Sequence, residues 1–321
     1  MNSAVATVAT GLQVAFVVVV APLVVGAMRQ VRARLEGRAG AGVGQPWRDL
    51  RKQLRKQEVT PSGTTAVFAL APLVVVGSVV LIAAIAPLAT TGSPLDPAAD
   101  LFAVVGLLFL GTVALALAGL DTGTAFGGMG ASRELTVAAL VEPTILLAGF
   151  ALSIPAGSSN LAVIVDTTVH RPDQVLSPSG LLAFAALAVV IIAETGRLPV
   201  DNPSTHLELT MLHEAMVLEY SGPRLALLEL AGAMRLTVLL ALLANLFVPW
   251  PIAGPHPGVI GVVLAFAALV LKVMGLATLL AVGEVLMAKL RLFRVPELLA
   301  GSFLLALLAV TMSYFLVPAV G

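Results

Sequence analysis

The feature that most constrains this chain is a succession of long apolar runs separated by polar segments. A lipid interior offers no partner for backbone N–H and C=O groups, so an apolar run of about 20 residues has to cross it as a helix. About eight runs qualify by that length, lying near residues 5–28, 64–90, 100–120, 135–152, 178–198, 225–248, 257–282 and 298–318. Hydrophobic residues make up 59% of the chain and charged ones only 11%, against roughly 25% charged in a soluble domain. The expectation is an all-α integral membrane protein, a single polytopic domain over residues 1–321 set in the cytoplasmic (inner) membrane. The lipid bilayer is its surroundings, and no nucleic-acid partner is expected.

Lysine and arginine set the orientation, because basic loops stay in the cytoplasm. The segment after the first run holds Arg29, Arg32, Arg34, Arg38, Arg48, Arg51, Lys52, Arg55 and Lys56. Counting spans puts Arg133, Arg197, Arg224, Lys289, Arg291 and Arg294 on that same side and leaves Arg171 on the other. Both termini are therefore expected outside, with long cytoplasmic loops near 29–63, 121–134, 199–224 and 283–297. Residues 1–4 carry no basic side chain and the positive cluster follows the first run, the reverse of a secretory signal, so no cleavage is expected. The outer loops are rich in Pro, Gly and Ser and read as connectors.

Cysteine is absent. This excludes a disulfide framework, cysteine-held iron–sulfur clusters and thioether-attached haem on this chain. His170, His206, His213 and His256 show neither an HExxH nor an i, i+4 arrangement, so no metal site is expected. No internal repeat or matched pair of interrupted helices is visible, as an inverted-repeat transporter would require.

Chemistry is expected from ionisable residues in or beside the spans. Glu142 falls about eight residues into the fourth run, near 12 Å deep. Glu194 lies a turn before the end of the fifth, with Arg197 three positions on. Glu229 and Arg235 share the sixth, Lys272 is near the middle of the seventh, and Glu284 is at that run's cytoplasmic end. A charge at the bilayer centre costs about 2.5–3.5 kcal/mol, so such residues face the bundle interior, pair, and mark ion or proton routes. The pairs suggested by spacing are Glu194 with Arg197 and Glu229 with Arg235; a purely structural pair is the alternative for each. Burial brings carboxylates and lysines toward neutral pKa, where a proton can be passed on.

Three cytoplasmic segments carry the rest. After a Gly-rich turn, a short helix from Asp49 to Lys56 is basic nearly all round; Arg48, Arg51, Lys52, Arg55 and Lys56 suit a partner with an acidic or polar surface. The segment from Gly119 to Glu134 reads as a Gly-rich turn with Asp121 at a span end, Ser132 capping the next helix and Glu134 favouring its positive end. It lacks the phosphate-loop pattern GxxxxGK[ST]. From Glu194 to Gly222 runs ETGRLPVDNPSTHLELTMLHEAMVLEYSG. If residues 204–220 are helical, His206, Thr210, His213, Glu214 and Tyr220 share one arc, while Glu208 and Glu219 lie about 20° apart on another. Such a helix is expected to be packed between the membrane domain and a covering partner.

The segments GRAGAGVGQPWRDLRKQLRKQEVTP, GASRE followed by Glu142, and ETGRLPVDNP…EYSG resemble the subunit-1 (heel) family of respiratory complex I. Within it, the form GLDTG…GASREL resembles the hydrogenase-4 and formate hydrogenlyase branch. The resemblance implies an eight-span subunit beneath a hydrophilic arm that links redox chemistry to proton translocation. The implied partners are hydrogenase-like large and small subunits, an iron–sulfur subunit and antiporter-like membrane subunits. Iron–sulfur clusters, and nickel–iron, would sit on those partners and no cofactor on this chain. By motif, the implied proton path is Glu142, Glu194, Asp201, Glu208 and Glu219 with Asp121 behind them; Glu229, Lys272 and Glu284 join it by position alone. Between DNP and EYSG the chain is about three residues longer than the complex I pattern, where a quinone head or a neighbouring subunit would be met. The functional expectation is a proton-coupling subunit of a hydrogenase-4-like complex; a complex I heel lining a quinone chamber is the alternative, ahead of a stand-alone transporter or a passive anchor.

Overall fold

The structure is a computed structural model that describes residues 2–198, 200–201, 213–254, 258–287 and 294–316. In chain order the helices are α1 (Asn2–Leu35), α2 (Gln45–Leu54), α3 (Ala66–Ile85), α4 (Leu101–Asp121), α5 (Ala125–Ala156), α6 (Leu161–His170), α7 (Asp173–Leu176), α8 (Pro178–Glu194), α9 (His213–Val217), α10 (Gly222–Phe247), α11 (Val259–Leu286) and α12 (Val295–Leu316). Among the described residues, seven helices are long and apolar enough to cross a membrane: α1, α3, α4, α5, α10, α11 and α12. The fifth apolar run forms the shorter α8, whose 17 residues rise about 26 Å. The expected all-α, multi-pass membrane architecture is what the chain builds.

α10 is the central post. Residues 234–247 are buried without interruption, and the helix packs on α1, α3, α11 and α8. α11 and α12 lie at the edges, with only 17% and 28% of their most apolar windows buried. α5 packs against α4, α8 and α12. Small residues allow the closest approaches: a Cβ at Gly149 of α5 would come within 2.6 Å of the Leu101 side chain on α4.

Two expected boundaries move. The fourth span begins at Ala125, because Thr124 rather than Ser132 caps it: its hydroxyl accepts from the Gly127 N–H. The turn from α4 into α5 is thus compressed into Thr122–Thr124, and Gly127 tolerates it because a Cβ there would lie 2.2 Å from the Gly119 carbonyl. Glu134 becomes an interior helical residue, and Glu142 sits near the middle of a 32-residue helix, about 26 Å from its start. The outer stretch expected as one long connector, 155–177, contains α6 and α7.

The basic loop is strapped to the bundle. Pro22 interrupts α1, where it removes one helical hydrogen bond, and beside it Trp47 Nε1 donates to the Val19 carbonyl at 3.0 Å. Gln30 donates to the Ala39 carbonyl and accepts from the Gly42 N–H. α2 buries Pro46 and Leu50, and Gln53 donates to Glu229 of α10 at 2.7 Å. The expectation of a helix from Asp49 to Lys56 that is basic nearly all round is corrected: α2 runs from Gln45 to Leu54, with one seated face and one exposed basic face. At the far end, Ser221 exchanges hydrogen bonds with the Val59 backbone. Tyr220 stacks on Phe68 with centroids 4.0 Å apart and donates to its carbonyl. Gly222 (φ 57°) has Lys56 and Gln57 carbonyls about its missing Cβ. The EYSG segment is therefore a clasp.

Gly26 lies under this strap, since a Cβ on it would fall 1.9 Å from the Val43 carbonyl. Gly26→Ala is expected to lift the loop, cost about 1–3 kcal/mol as an overpacked contact, and speed tryptic cleavage near Arg38 and Arg48. Gly11→Ala, which meets nothing within 4 Å, should leave detergent thermal stability and proteolysis unchanged.

Candidate functional site: a buried line of charges below a polar cavity

α8 ends at Glu194, four residues before the end at 198 expected for the fifth run. Gly196 (φ 58°) takes the left-handed conformation, and the bonds Arg197 N–H to Ile192 C=O and Gly196 N–H to Ala193 C=O close the helix. That closure leaves Glu194 on the last turn facing inward and turns Arg197 away from it. The pairing expected from spacing is thus replaced. Glu194 pairs with Arg235 of α10, Arg197 goes to Glu284 of α11 at 3.6 Å, and Glu284 also takes Arg32 of α1 at 3.2 Å. Glu229 accepts from Gln53 instead of Arg235.

Arg235 is the hub. Besides Glu194, its Nη2 donates to Thr112 Oγ1 at 2.7 Å and to the Leu108 carbonyl at 3.2 Å on α4. Its charge reaches Glu142 and Glu134 on α5 and His213 on α9. Glu142 also feels Glu194. Both carboxyl oxygens of Glu142 are buried and neither has a hydrogen-bond partner among the described residues. Buried polar groups are rarely left so, and an exception calls for a reason. Pro143 follows directly and cannot bond the Ala139 carbonyl, which loosens the helix beside it.

At its other end the line meets a cavity of about 430 Å³ between α1, α2, α9, α10 and the segment after α8; Arg29, Arg32, Arg197, Asp201, His213 and Glu229 are among its walls. His213 Nδ1 lies 3.8 Å from Glu134 Oε1. Burial works against the charged imidazole, but Glu134, with Asp201 adding to it, outweighs burial and Arg235, so the His213 pKa is raised above its ordinary 6.5. At Arg197, burial pushes the guanidinium below its usual range; Glu284 opposes this, and Arg29 and Arg32 add to it. The sequence of groups is Asp201, His213, Glu134, Arg235 with Glu194, then Glu142: ionisable side chains from the cavity to mid-helix.

Of the residues expected in a proton path, the structure brings Glu142, Glu194 and Asp201 into this line. Asp121 stands elsewhere, accepting from Thr65 N–H, Thr65 Oγ1 and Phe68 N–H and so closing the start of α3. Glu229 and Glu284 flank the cavity as partners of Gln53 and of the two arginines. Lys272 is apart, donating to Asn245 Oδ1 at 3.2 Å while Asn245 holds the Pro87 and Leu88 carbonyls at the end of α3. Glu219 is half-buried in the turn between α9 and α10. Glu208, with His206 and Thr210, lies outside the described residues, and the helix expected to reach Tyr220 ends at Val217. Arg48, Arg51, Lys52, Arg55 and Lys56 are all exposed. Arg235, Glu134 and His213 complete the line although spacing along the chain gave each of them another task. The one available signal was Arg235, a guanidinium midway along an apolar helix.

The profile of the NADH dehydrogenase family matches residues 8–315. The chain belongs to that family, NADH dehydrogenase subunit 1. As a member, it is similar to formate hydrogenlyase subunit 4 of Escherichia coli K12, with 36% identity over 90% of this chain and 93% of that one. It is also similar to hydrogenase-4 component C of the same organism, with 36% identity and 74% of each chain covered. NADH-quinone oxidoreductase subunit 8 of Rhodothermus marinus shares 27% identity over 71% of this chain and 68% of its own. Among solved structures, a chain of the membrane-bound sulfane sulfur reductase, an archaeal respiratory membrane complex, has the same fold: TM-score 0.81, 20% identity, covering 95% and 98% of the two chains.

Because its folded pKa is raised, protonated His213 contributes stability that is fully present below about pH 6.5 and is lost as pH rises through the folded value. His213→Gln is expected to lower the melting temperature of the detergent-solubilised protein more in acid than in alkali. The effect is small, since the imidazole keeps 39% exposure in the isolated chain and solvent screens it. An equal loss at both ends of the pH range would contradict the pairing with Glu134.

Proposed function

We propose that this chain is the membrane-anchoring, proton-coupling subunit of an energy-converting oxidoreductase complex of the hydrogenase-4 and formate hydrogenlyase type. The observation that carries the reading is the line from Asp201 to Glu142, which joins a cavity at the basic end of the bundle to the middle of α5. Intramembrane ionisable residues cost too much to be idle, and these neighbour one another. Chain-wide similarity to formate hydrogenlyase subunit 4 supports the same branch. In this reading the basic end is cytoplasmic. The exposed basic face of α2 and the rim of the cavity meet a hydrophilic arm bearing iron–sulfur clusters and a hydrogenase-like active site, and antiporter-like subunits continue the membrane part. This chain, without cysteine, holds no redox centre of those kinds itself. Glu142, Glu194 and Asp201 carry protons, together with Glu134 and His213; Glu284 holds Arg32 and Arg197 in the cavity wall, and Asp121 supports α3.

The alternative, a heel subunit lining a quinone chamber, draws on the cavity itself, whose volume is in the range of small-ligand sites. Its walls fit a quinone head in part: His213 and Asp201 supply hydrogen-bonding groups, and Val25, Leu225 and Leu228 supply apolar surface. The arginines Arg29, Arg32 and Arg197 on the same walls are poor company for an isoprenoid tail.

Affinity purification of the tagged chain from its native membrane in mild detergent tests the assignment. Co-purification of hydrogenase-like and iron–sulfur subunits is expected. Recovery of the folded chain alone, moving an ion in liposomes, would overturn it, and a stoichiometric bound quinone would favour the alternative.

A further inference from the structure

Arg235 and Glu142 share an unusual property. Each is nine-tenths buried (8% and 7% exposed), they interact electrostatically, and each keeps hydrogen-bonding capacity unused. Arg235 Nε has no acceptor, and Glu142 Oε1 and Oε2 have no donor, among the described residues. A buried donor and buried acceptors that act on each other electrostatically, and are unsatisfied, are each costly, and a guanidinium placed on Glu142 would give both a partner. Meanwhile, among the described residues, the polar contacts of the guanidinium run through one nitrogen, Nη2, to Glu194, Thr112 and the Leu108 carbonyl.

We infer that Arg235 is a two-position side chain that exchanges its guanidinium between Glu194, where it now lies, and Glu142, in step with a proton passing between those carboxyl groups. The inference rests on the proton-coupling reading above and names the residue that orders the transfer.

The balance is simple. One guanidinium neutralises one carboxylate, and a second unpaired carboxylate in the bilayer interior costs several kcal/mol, so the pair shares one proton and one cation. With Arg235 on Glu194, the proton is on Glu142. When the O–H bond on Glu142 breaks and one forms on Glu194, the guanidinium moves the other way; net charge is the same before and after. The rest of the surroundings biases the exchange without replacing the cation. Glu134 on α5 and His213 on α9 are the other titratable groups that Arg235 acts on, and Thr112 and the Leu108 carbonyl on α4 hold the guanidinium at the Glu194 position. Arriving protons reach Glu194 past Glu134 and His213, so Arg235 stands where the cavity side of the line meets its mid-membrane end. It is a positioning residue.

Two experiments on the intact purified complex decide this. In a cryo-EM structure of the Glu194→Gln complex, where the anion at the present position is gone, density for the guanidinium is expected on Glu142; density still on Thr112 and the Leu108 carbonyl would overturn the inference. The double variant Glu194→Gln/Arg235→Gln removes both charges together, which avoids stranding a buried ion. It is expected to assemble and transfer electrons while protons moved per electron fall roughly tenfold or more; wild-type proton yield would equally overturn the inference. If the wild-type complex moves no protons at all, the coupling reading fails, and the position of the guanidinium in the first experiment still reports whether Arg235 exchanges.

Discussion

The ion pair between Arg235 and Glu194 ties α10 to α8, and through Thr112 and Leu108 it ties both to α4. In a bilayer, each buried charge needs such a partner. Removing one partner of such a pair costs about 3–5 kcal/mol, because the other stays buried and uncompensated. The guanidinium thus helps to fix the rotation of the central helix α10. That same rotation aims Glu229 at α2 and the cavity and Asn245 at the end of α3. The contact that helps hold the bundle together also places a cation among Glu142, Glu194, Glu134 and His213.

Around the basic end, the chain uses its loops as bundle parts. The strap from Gly37 to Leu54 lies on α1 through Gly26, Gln30 and Val19, and the clasp at Tyr220–Gly222 locks its far end. These attachments make α2 a wall of the cavity and leave Arg51, Lys52, Arg55 and Lys56 outward. That wall is continuous, through Gln53 and Glu229, with the helix carrying Arg235.

Much of this was legible in the amino-acid sequence, and the rest fails for a consistent reason. Apolar length alone points to the seven described helices long enough to cross a membrane, since lipid leaves the backbone no other choice. Local closures are read only in part: Gly196 ends α8 at Glu194, before the expected 198, and Thr124 rather than Ser132 caps α5. Pairings are harder still. Glu194 and Arg197, three apart, look like partners, but the left-handed Gly196 turns Arg197 to Glu284 on another helix, 87 positions on in the chain. Glu229 and Arg235 share a helix but point to different neighbours. Glu134 reads as a terminal residue when Ser132 is taken as the cap, eight positions after the true cap Thr124, and His213 gains its role only because α9 brings it to Glu134. Spacing along one helix reports its own face; which face meets which is decided by the packing of all of them.

The central claim is that protons cross into the membrane through Glu142. The direct measurement is the number of protons moved per electron by the intact complex in proteoliposomes, with Glu142→Gln compared against wild type at matched electron-transfer rates. A neutral amide keeps the volume of the side chain and cannot exchange a proton, so the account predicts an assembled, redox-active complex whose proton yield collapses. An unchanged yield in Glu142→Gln would contradict it.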